Sequence, residues 1–244
     1  MSGHSKWSTI KRKKAKVDAQ RGKIFTRLAK EIIMAARQGG GDPESNALLK
    51  TAVLRAKEAN IPNDNINRAI QKGTGETGAA NYEEIFYEGY GLGGVAVMIE
   101  IMTDNRNRTA GEIRYIFSRN GGSLGETGCV AWMFKEKGLV VVEKAGSEIN
   151  EDDLMLAAID AGAEDFNADE DCFEITCEPA DLQTVRGAID KSGVKATTAE
   201  VTMIPQTTVK LEGEKAEQMM RLIDALEEHD DVQNVYANFE IIEE

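Results

Sequence analysis

The sequence is short of the residues on which most enzyme chemistry depends. Of its 244 residues, two are histidine, three cysteine and four proline, and aromatics make up 6%. His4 and His229 are too few to assemble a Ser–His–Asp arrangement, and no Walker loop is present. Cys129, Cys172 and Cys177 form an odd, sparse set, unlike a disulfide framework, which points to a reducing compartment. No run comes near the roughly eighteen apolar residues that a membrane span needs. The N-terminus lacks the apolar region of a signal peptide. The expectation is a cytoplasmic protein without a membrane partner. Positive charge is scarce too: 29 Lys and Arg face 42 Asp and Glu, for a net charge of -13.

What cation there is lies at the front. Residues 1–30 hold Lys6, Lys11, Arg12, Lys13, Lys14, Lys16, Arg21, Lys23, Arg27 and Lys30 against one acid, Asp18. Residues 1–72 carry sixteen basic and six acidic groups, and the other 172 carry thirteen and thirty-six. Cations held together against their repulsion imply a polyanionic partner, bound by neutralising phosphates and releasing counterions. The rival reading is a solvated tail with no specific role. Trp7 has no periodic apolar company. It either stacks on a base among these cations or anchors the tail on its own protein. His4, without a partner for metal or base chemistry, reads as a hydrogen-bonding member of the same stretch.

Periodicity supplies the rest of the plan. Phe25, Leu28, Ile32 and Ala36 predict an amphipathic helix over 21–38, with Lys23, Arg27, Lys30 and Arg37 on its outer side. Gly39, Gly40 and Gly41 end it. Asp42 and Pro43 predict the cap and first turn of a second helix, reaching about Ala59 and burying Leu48, Leu49, Ala52, Val53 and Ala56. Pro62 breaks it, and a third short helix follows. The GGGDP connection is not the tight turn of a helix-turn-helix. Seven glycines over 73–94 predict a linker with irregular turns, and Gly89–Gly94 is no dinucleotide loop because a strand follows it.

Beyond, strands and helices alternate. A strand (95–102), a helix from an Asp104 cap to Arg119 and a strand (129–134) make one βαβ piece. Strand 139–143, helix 151–162, strands 164–167 and 172–177, helix 179–192 and strand 196–204 make a complete βαββαβ unit. Strand 207–211, helix 214–228 and strand 232–239 make a second βαβ piece. The prediction is an α+β protein: an N-terminal three-helix domain (1–72) and two ferredoxin-like (βαββαβ) domains. Residues 138–205 would be inserted into the one built from 73–137 and 206–244.

A second polar constellation sits in TDNRNRT (103–109). Asn105, Arg106 and Arg108 at a helix start offer donors for a phosphate or base edge, or else cap the helix and pair with neighbouring acids. Cys172 and Cys177, five apart on one strand, point to opposite faces, against a shared metal. Asp169, Glu170 and Asp171 read as a solvated hairpin tip. Residues 138–205, with sixteen acids and four bases, suit a protein contact better than a phosphate. No catalytic group, cofactor or metal is expected.

The motifs GHSKW, RGKIFTRLAKEI, GGGDPESN, NIPNDNINRAIQKG, YEGYG, TDNRNRT and GGSLGETGCVAWMF together resemble the YebC family over essentially the whole length. The chain departs from that pattern at Leu92, where the family has proline. The resemblance implies a helical domain, two α+β domains with one nested in the other, and a non-enzymatic nucleic-acid-binding regulator of gene expression. Family members are described as DNA-binding transcriptional regulators or as ribosome-associated translation factors. In the latter the basic head enters near the peptidyl-transferase centre and helps stalled proline-rich synthesis. A flexible basic arm with one aromatic suits an irregular, phosphate-lined RNA cavity, so a translation factor on ribosomal RNA is the leading expectation. A DNA-binding transcriptional regulator is the alternative, and a protein-interaction scaffold acting through the acidic domains a further one. The expected nucleic-acid-binding residues are His4, Lys6, Trp7, Lys11, Arg12, Lys13, Lys14, Lys16, Arg21, Lys23, Arg27, Lys30, Asn105, Arg106 and Arg108.

Overall fold

The computed structural model describes residues 21–75, 82–144, 150–169 and 171–242. Three helices come first: α1 (Arg21–Gly39), α2 (Ala47–Glu58) and α3 (Asn63–Gly73). Their core is Ile32, Ile33, Ala36, Leu49, Ala52, Val53, Ala56, Ile66 and Ala69, with Phe25 and Leu28 partly buried against it. Leu48, expected inside, is 61% exposed, because it stands about 90° off the face shared by Leu49, Ala52, Val53 and Ala56, and α2 starts later than Asp42-Pro43 suggests. Its cap is Asn46, whose Oδ1 accepts from the Leu49 N–H while Nδ2 donates to the carbonyls of Ala35 and Gly40. One amide thus serves the N-terminus of α2 and the orphan carbonyls ending α1, a double role that a carboxylate at position 42 cannot fill.

The β part is a four-stranded antiparallel sheet ordered β3-β1-β2-β9, from β1 (Glu83–Tyr90), β2 (Ala96–Thr103), β3 (Ser123–Leu124) and β9 (Val232–Ala237). Helices α4 (Arg106–Arg119) and α7 (Gly213–Glu227) bury Ile113, Phe117, Met219, Leu222 and Leu226 against Val97, Ile99 and Ile101 of β2. Between β3 and α7 the chain leaves to build a second sheet. This comprises β4 (Phe134–Glu143), α5 (Glu151–Asp160), β5 (Ala163–Ala168), β6 (Cys172–Cys177), α6 (Leu182–Lys191) and β7 (Thr198–Pro205), with strand order β5-β6-β4-β7. That order, with each neighbouring pair antiparallel, is the split βαβ arrangement of a ferredoxin-like unit. A short parallel pair, β8 (Val209–Leu211) with β10 (Phe239–Ile241), forms its own ladder and packs Leu211, Val209, Phe239 and Ile241 against the core of the first sheet. A three-helix domain precedes two antiparallel sheets that each carry their own helices, so the protein is α+β.

The first sheet recruits its strands differently from the sequence expectation. The Gly-rich stretch read as a linker supplies β1. The strand expected at 129–134 is instead a 3-10 turn, Ala131–Met133, leading into β4. The reason is Glu88, 3% exposed on β1. Its carboxylate accepts from the backbone N–H groups of Gly128, Val130 and Ala131 at 2.6–2.7 Å. Those donors are therefore drawn to one side chain and withheld from a strand ladder. Burial opposes ionisation of Glu88, but the three amides more than offset it and hold its pKa below the ordinary value. Among the described residues no helix is long and apolar enough to cross a membrane.

Candidate nucleic-acid interface

His4, Lys6, Trp7, Lys11, Arg12, Lys13, Lys14 and Lys16 lie outside the described residues, and Arg21 is the first residue of α1. The remaining expected cations of α1 do not form an outer stripe. Lys23 Nζ donates to the Glu228 carbonyl, Arg27 to the Glu227 carbonyl, and Lys30 Nζ to the Asp230 carbonyl at 3.0 Å. Those oxygens belong to the last turn of α7 and the residues just past it, where backbone carbonyls have no intrahelical partner and the helix dipole is negative. Three cations of one helix thus cap the C-terminus of another. They dock the helical domain on the first sheet, and the stripe faces inward for that reason.

At the centre of this junction is a carboxylate that the sequence does not single out. Lys30 Nζ lies 2.8 Å from Asp231 Oδ1, with side chains only 7% and 8% exposed. The other oxygen, Oδ2, accepts from Arg108 at 2.8 Å and from the Thr109 hydroxyl at 2.8 Å. Lys30 also donates to the Met102 carbonyl, and Thr109 shares a hydrogen bond with Thr103. Burial opposes the charge on Asp231, but the hydrogen bonds from Lys30, Arg108 and Thr109 prevail and hold its carboxyl well below the usual range. Beside it, the Asp231 N–H donates to His229 Nδ1, so the neutral ring carries its proton on Nε2, 2.7 Å from Glu112.

The two stretches expected to touch nucleic acid therefore meet at one acid. Arg108 also pairs with Asp104 at 3.2 Å, and Asn105, not Asp104, caps α4 by accepting from the Arg108 N–H. Arg106 is exposed, and its side chain has no partner among the described residues. No local signal marks Asp231, because its partners stand 122 to 201 residues away in the chain. Elsewhere on the helical domain a cavity of about 370 Å³ opens between α1 and α3. Phe25, Ile33 and Ile66 line it, with Arg68, Lys72 and Tyr82, and Lys72 stands 6.0 Å from the Tyr82 ring centre. Cys172 and Cys177 fall in separate clusters on opposite faces of the second sheet, and burial pushes the Cys172 thiol up to about 12.

Comparison with known proteins agrees across the full length. Residues 5–76 match the TACO1/YebC protein N-terminal domain, and residues 82–239 match the TACO1/YebC second and third domain. A probable transcriptional regulatory protein of Pelotomaculum thermopropionicum is 80% identical over 241 residues, 99% of each chain. One of Carboxydothermus hydrogenoformans is 56% identical over 244 residues, the whole of both chains. Among solved structures, a conserved hypothetical protein from Aquifex aeolicus superposes with a TM-score of 0.82 at 48% identity, covering 94% of each chain.

Proposed function

The chain belongs to the TACO1/YebC family, and from that premise we propose a non-enzymatic, nucleic-acid-binding regulator of gene expression that acts on the ribosome as a translation factor. The observation that carries this reading is the division of charge: a front of sixteen cations and six acids on a body of thirteen and thirty-six. Such a molecule approaches a polyphosphate head first and is repelled body last. Lys23, Arg27 and Lys30 are committed to docking the helical domain, so phosphate binding falls to the tail. Lys6, Lys11, Arg12, Lys13, Lys14 and Lys16 neutralise phosphates, with His4 and Trp7 among them, and Arg21 stands at the tail's junction with α1. Asn105 and Arg106, near the docked junction, give a second point of attachment. A basic segment with one aromatic among its cations suits an irregular, phosphate-lined RNA cavity.

A second reading, a duplex-DNA-binding transcriptional regulator, is favoured by α2 and α3 and by the relatives' names. Only residues 59–62 join the two helices, Asn60 takes a left-handed φ of 59°, and Asn67, Arg68 and Gln71 stand exposed on α3. That is the outline of a helix-turn-helix. Sedimentation of lysate separates the readings. On the ribosome, the protein travels with large-subunit particles at low salt, leaves them at high salt and is not released by DNase. Replacing Lys11, Arg12, Lys13 and Lys14 with Gln should weaken association and flatten its log–log salt slope by about 0.7 to 0.9 for each phosphate no longer neutralised. A protein that stays at the top of the gradient and prefers promoter fragments about a thousandfold over unrelated duplex installs the DNA reading.

A further inference from the structure

Helix α4 carries more than its capped first turn. Of the thirteen basic residues beyond position 72, four (Arg106, Arg108, Arg114 and Arg119) lie in these fourteen residues, with one acid, Glu112. Thr109, Ile113 and Phe117 are 0% exposed and face the core. At 100° per residue the side opposite them is Arg108, Gly111, Tyr115 and Arg119, with Arg114 and Ser118 alongside. All six are exposed. On a body this acidic, a cationic helix face is complementary to a polyanion.

Two residues on that face have no explanation within the fold. Tyr115 is 63% exposed, and neither its ring nor its hydroxyl has a partner among the described residues. Gly111 sits in the helix interior, where only proline is less favourable. It has no positive φ to accommodate, and a Cβ there would meet nothing within 4 Å. Backbone geometry and internal packing both permit a larger residue, so neither accounts for the glycine. Helical side chains lean toward the N-terminus, so the Tyr115 ring lies over the turn that holds Gly111, one turn earlier. The missing side chain leaves a slot beside an aromatic face, with Arg108 before it and Arg119 after it. Arg108 is fixed by Asp231 and Asp104, while Arg114 and Arg119 have no ion-pair partner among the described residues.

We propose that the outer face of α4 is a binding site for an unpaired RNA segment. Tyr115 stacks on a base over the open turn at Gly111, and Arg114 and Arg119, without ion-pair partners among the described residues, hold the flanking phosphates. Stacking on an exposed aromatic between cations is sequence-tolerant, since every base has a π-face. This rests on the proposed nucleic-acid function and names a site separate from the basic tail.

Binding of a labelled polyuridylate of about 15 nucleotides to the full chain, measured by anisotropy across a salt series, tests it. Tyr115→Ala should weaken binding by roughly fivefold to a hundredfold at every salt concentration, and Tyr115→Phe should restore it. Arg114→Gln with Arg119→Gln should lower the salt slope by about 0.7 for each phosphate that is no longer held. Gly111→Gln should weaken binding while leaving the melting temperature unchanged or raised, because it improves helix propensity and fills only open space. A glycine needed by the fold would instead lower the melting temperature. If the parent binds and these variants bind equally well, the α4 site is wrong while the tail reading stands. Loss in Tyr115→Phe equal to that in Tyr115→Ala also removes the site, since stacking survives in phenylalanine. No binding of the parent chain would sink both.

Discussion

Asp231 shows how a single side chain decides where a domain sits. Its two oxygens receive Lys30, Arg108 and Thr109, and the Lys30–Asp231 pair is almost closed to water while Arg108 reaches it from a half-exposed position. A buried ion pair is weak support for net stability, but breaking one leaves an uncompensated charge, which costs about 3–5 kcal/mol. The two halves of this pair are not equivalent. Lys30→Met leaves Asp231 with Arg108 and Thr109, whereas Asp231→Ala leaves a buried ammonium with two carbonyl oxygens and the Tyr82 ring but no counter-charge bonded to it. Asp231→Ala should therefore be the more damaging of the two in urea melts at neutral pH. The acid limb has a definite sign. A carboxyl held below its ordinary 3.8 contributes in full above that value and loses its contribution as pH falls toward the depressed folded value. The parent should lose stability between about pH 4 and lower values, and Asp231→Asn should flatten that limb. An acid limb unchanged by the substitution would assign the acid sensitivity to other carboxylates, Glu88 first among them.

At the scale of elements, legibility followed the strength of the local pattern. Helices α1 to α3 could be read from their apolar period, and β6 from a clean run between turns. β1 could not, because Gly89 and Gly91 suggest a loop when their role is close approach. A Cβ at Gly89 would lie 2.6 Å from the Ser123 carbonyl oxygen and 2.9 Å from the Phe117 ring. The cations of the candidate site were equally visible, yet what they touch was not. The partner of Lys30 is 201 residues distant, and nothing in a helical wheel tells a stripe facing solvent from one facing the end of another helix. The same close-approach logic governs α1 against α3. A Cβ on Gly73 would fall on the Ile33 carbonyl oxygen and 2.7 Å from the Ala36 methyl, both on α1. Alanine favours a helix over glycine, but here it must push two packed helices apart. Gly73→Ala should therefore destabilise by about 1–3 kcal/mol, and a raised melting temperature would contradict that packing.

At the scale of the whole molecule, the second sheet hangs from the first by a narrow neck. The Gln206 N–H donates to the Met133 carbonyl at 2.8 Å, so the chain leaves and returns at one point. The boundary expected at 137/138 falls inside β4, which already begins at Phe134. Phe134 packs beside Ala96, Met98 and Val130 of the first unit, and only Met203 reaches that cluster from the far strand. The cores that follow are separate: Val140, Phe173, Ile175 and Val185 belong to the second sheet, and Ile99, Phe117 and Leu222 to the first. Two cores joined at a closed neck should fold independently. Replacing residues 135–205 with a Gly/Ser loop of about four residues, while keeping Phe134, should span the gap without strain, as most such connections are short. We expect a single cooperative unfolding transition from the shortened chain, with the Lys30–Asp231 docking intact. Removing so acidic a unit should also speed association with RNA at low salt, because less negative charge faces the phosphates. Loss of a cooperative transition would show that the first sheet depends on the second for its structure. The acidic unit would then be part of the scaffold, and not the separate surface that its charge implies.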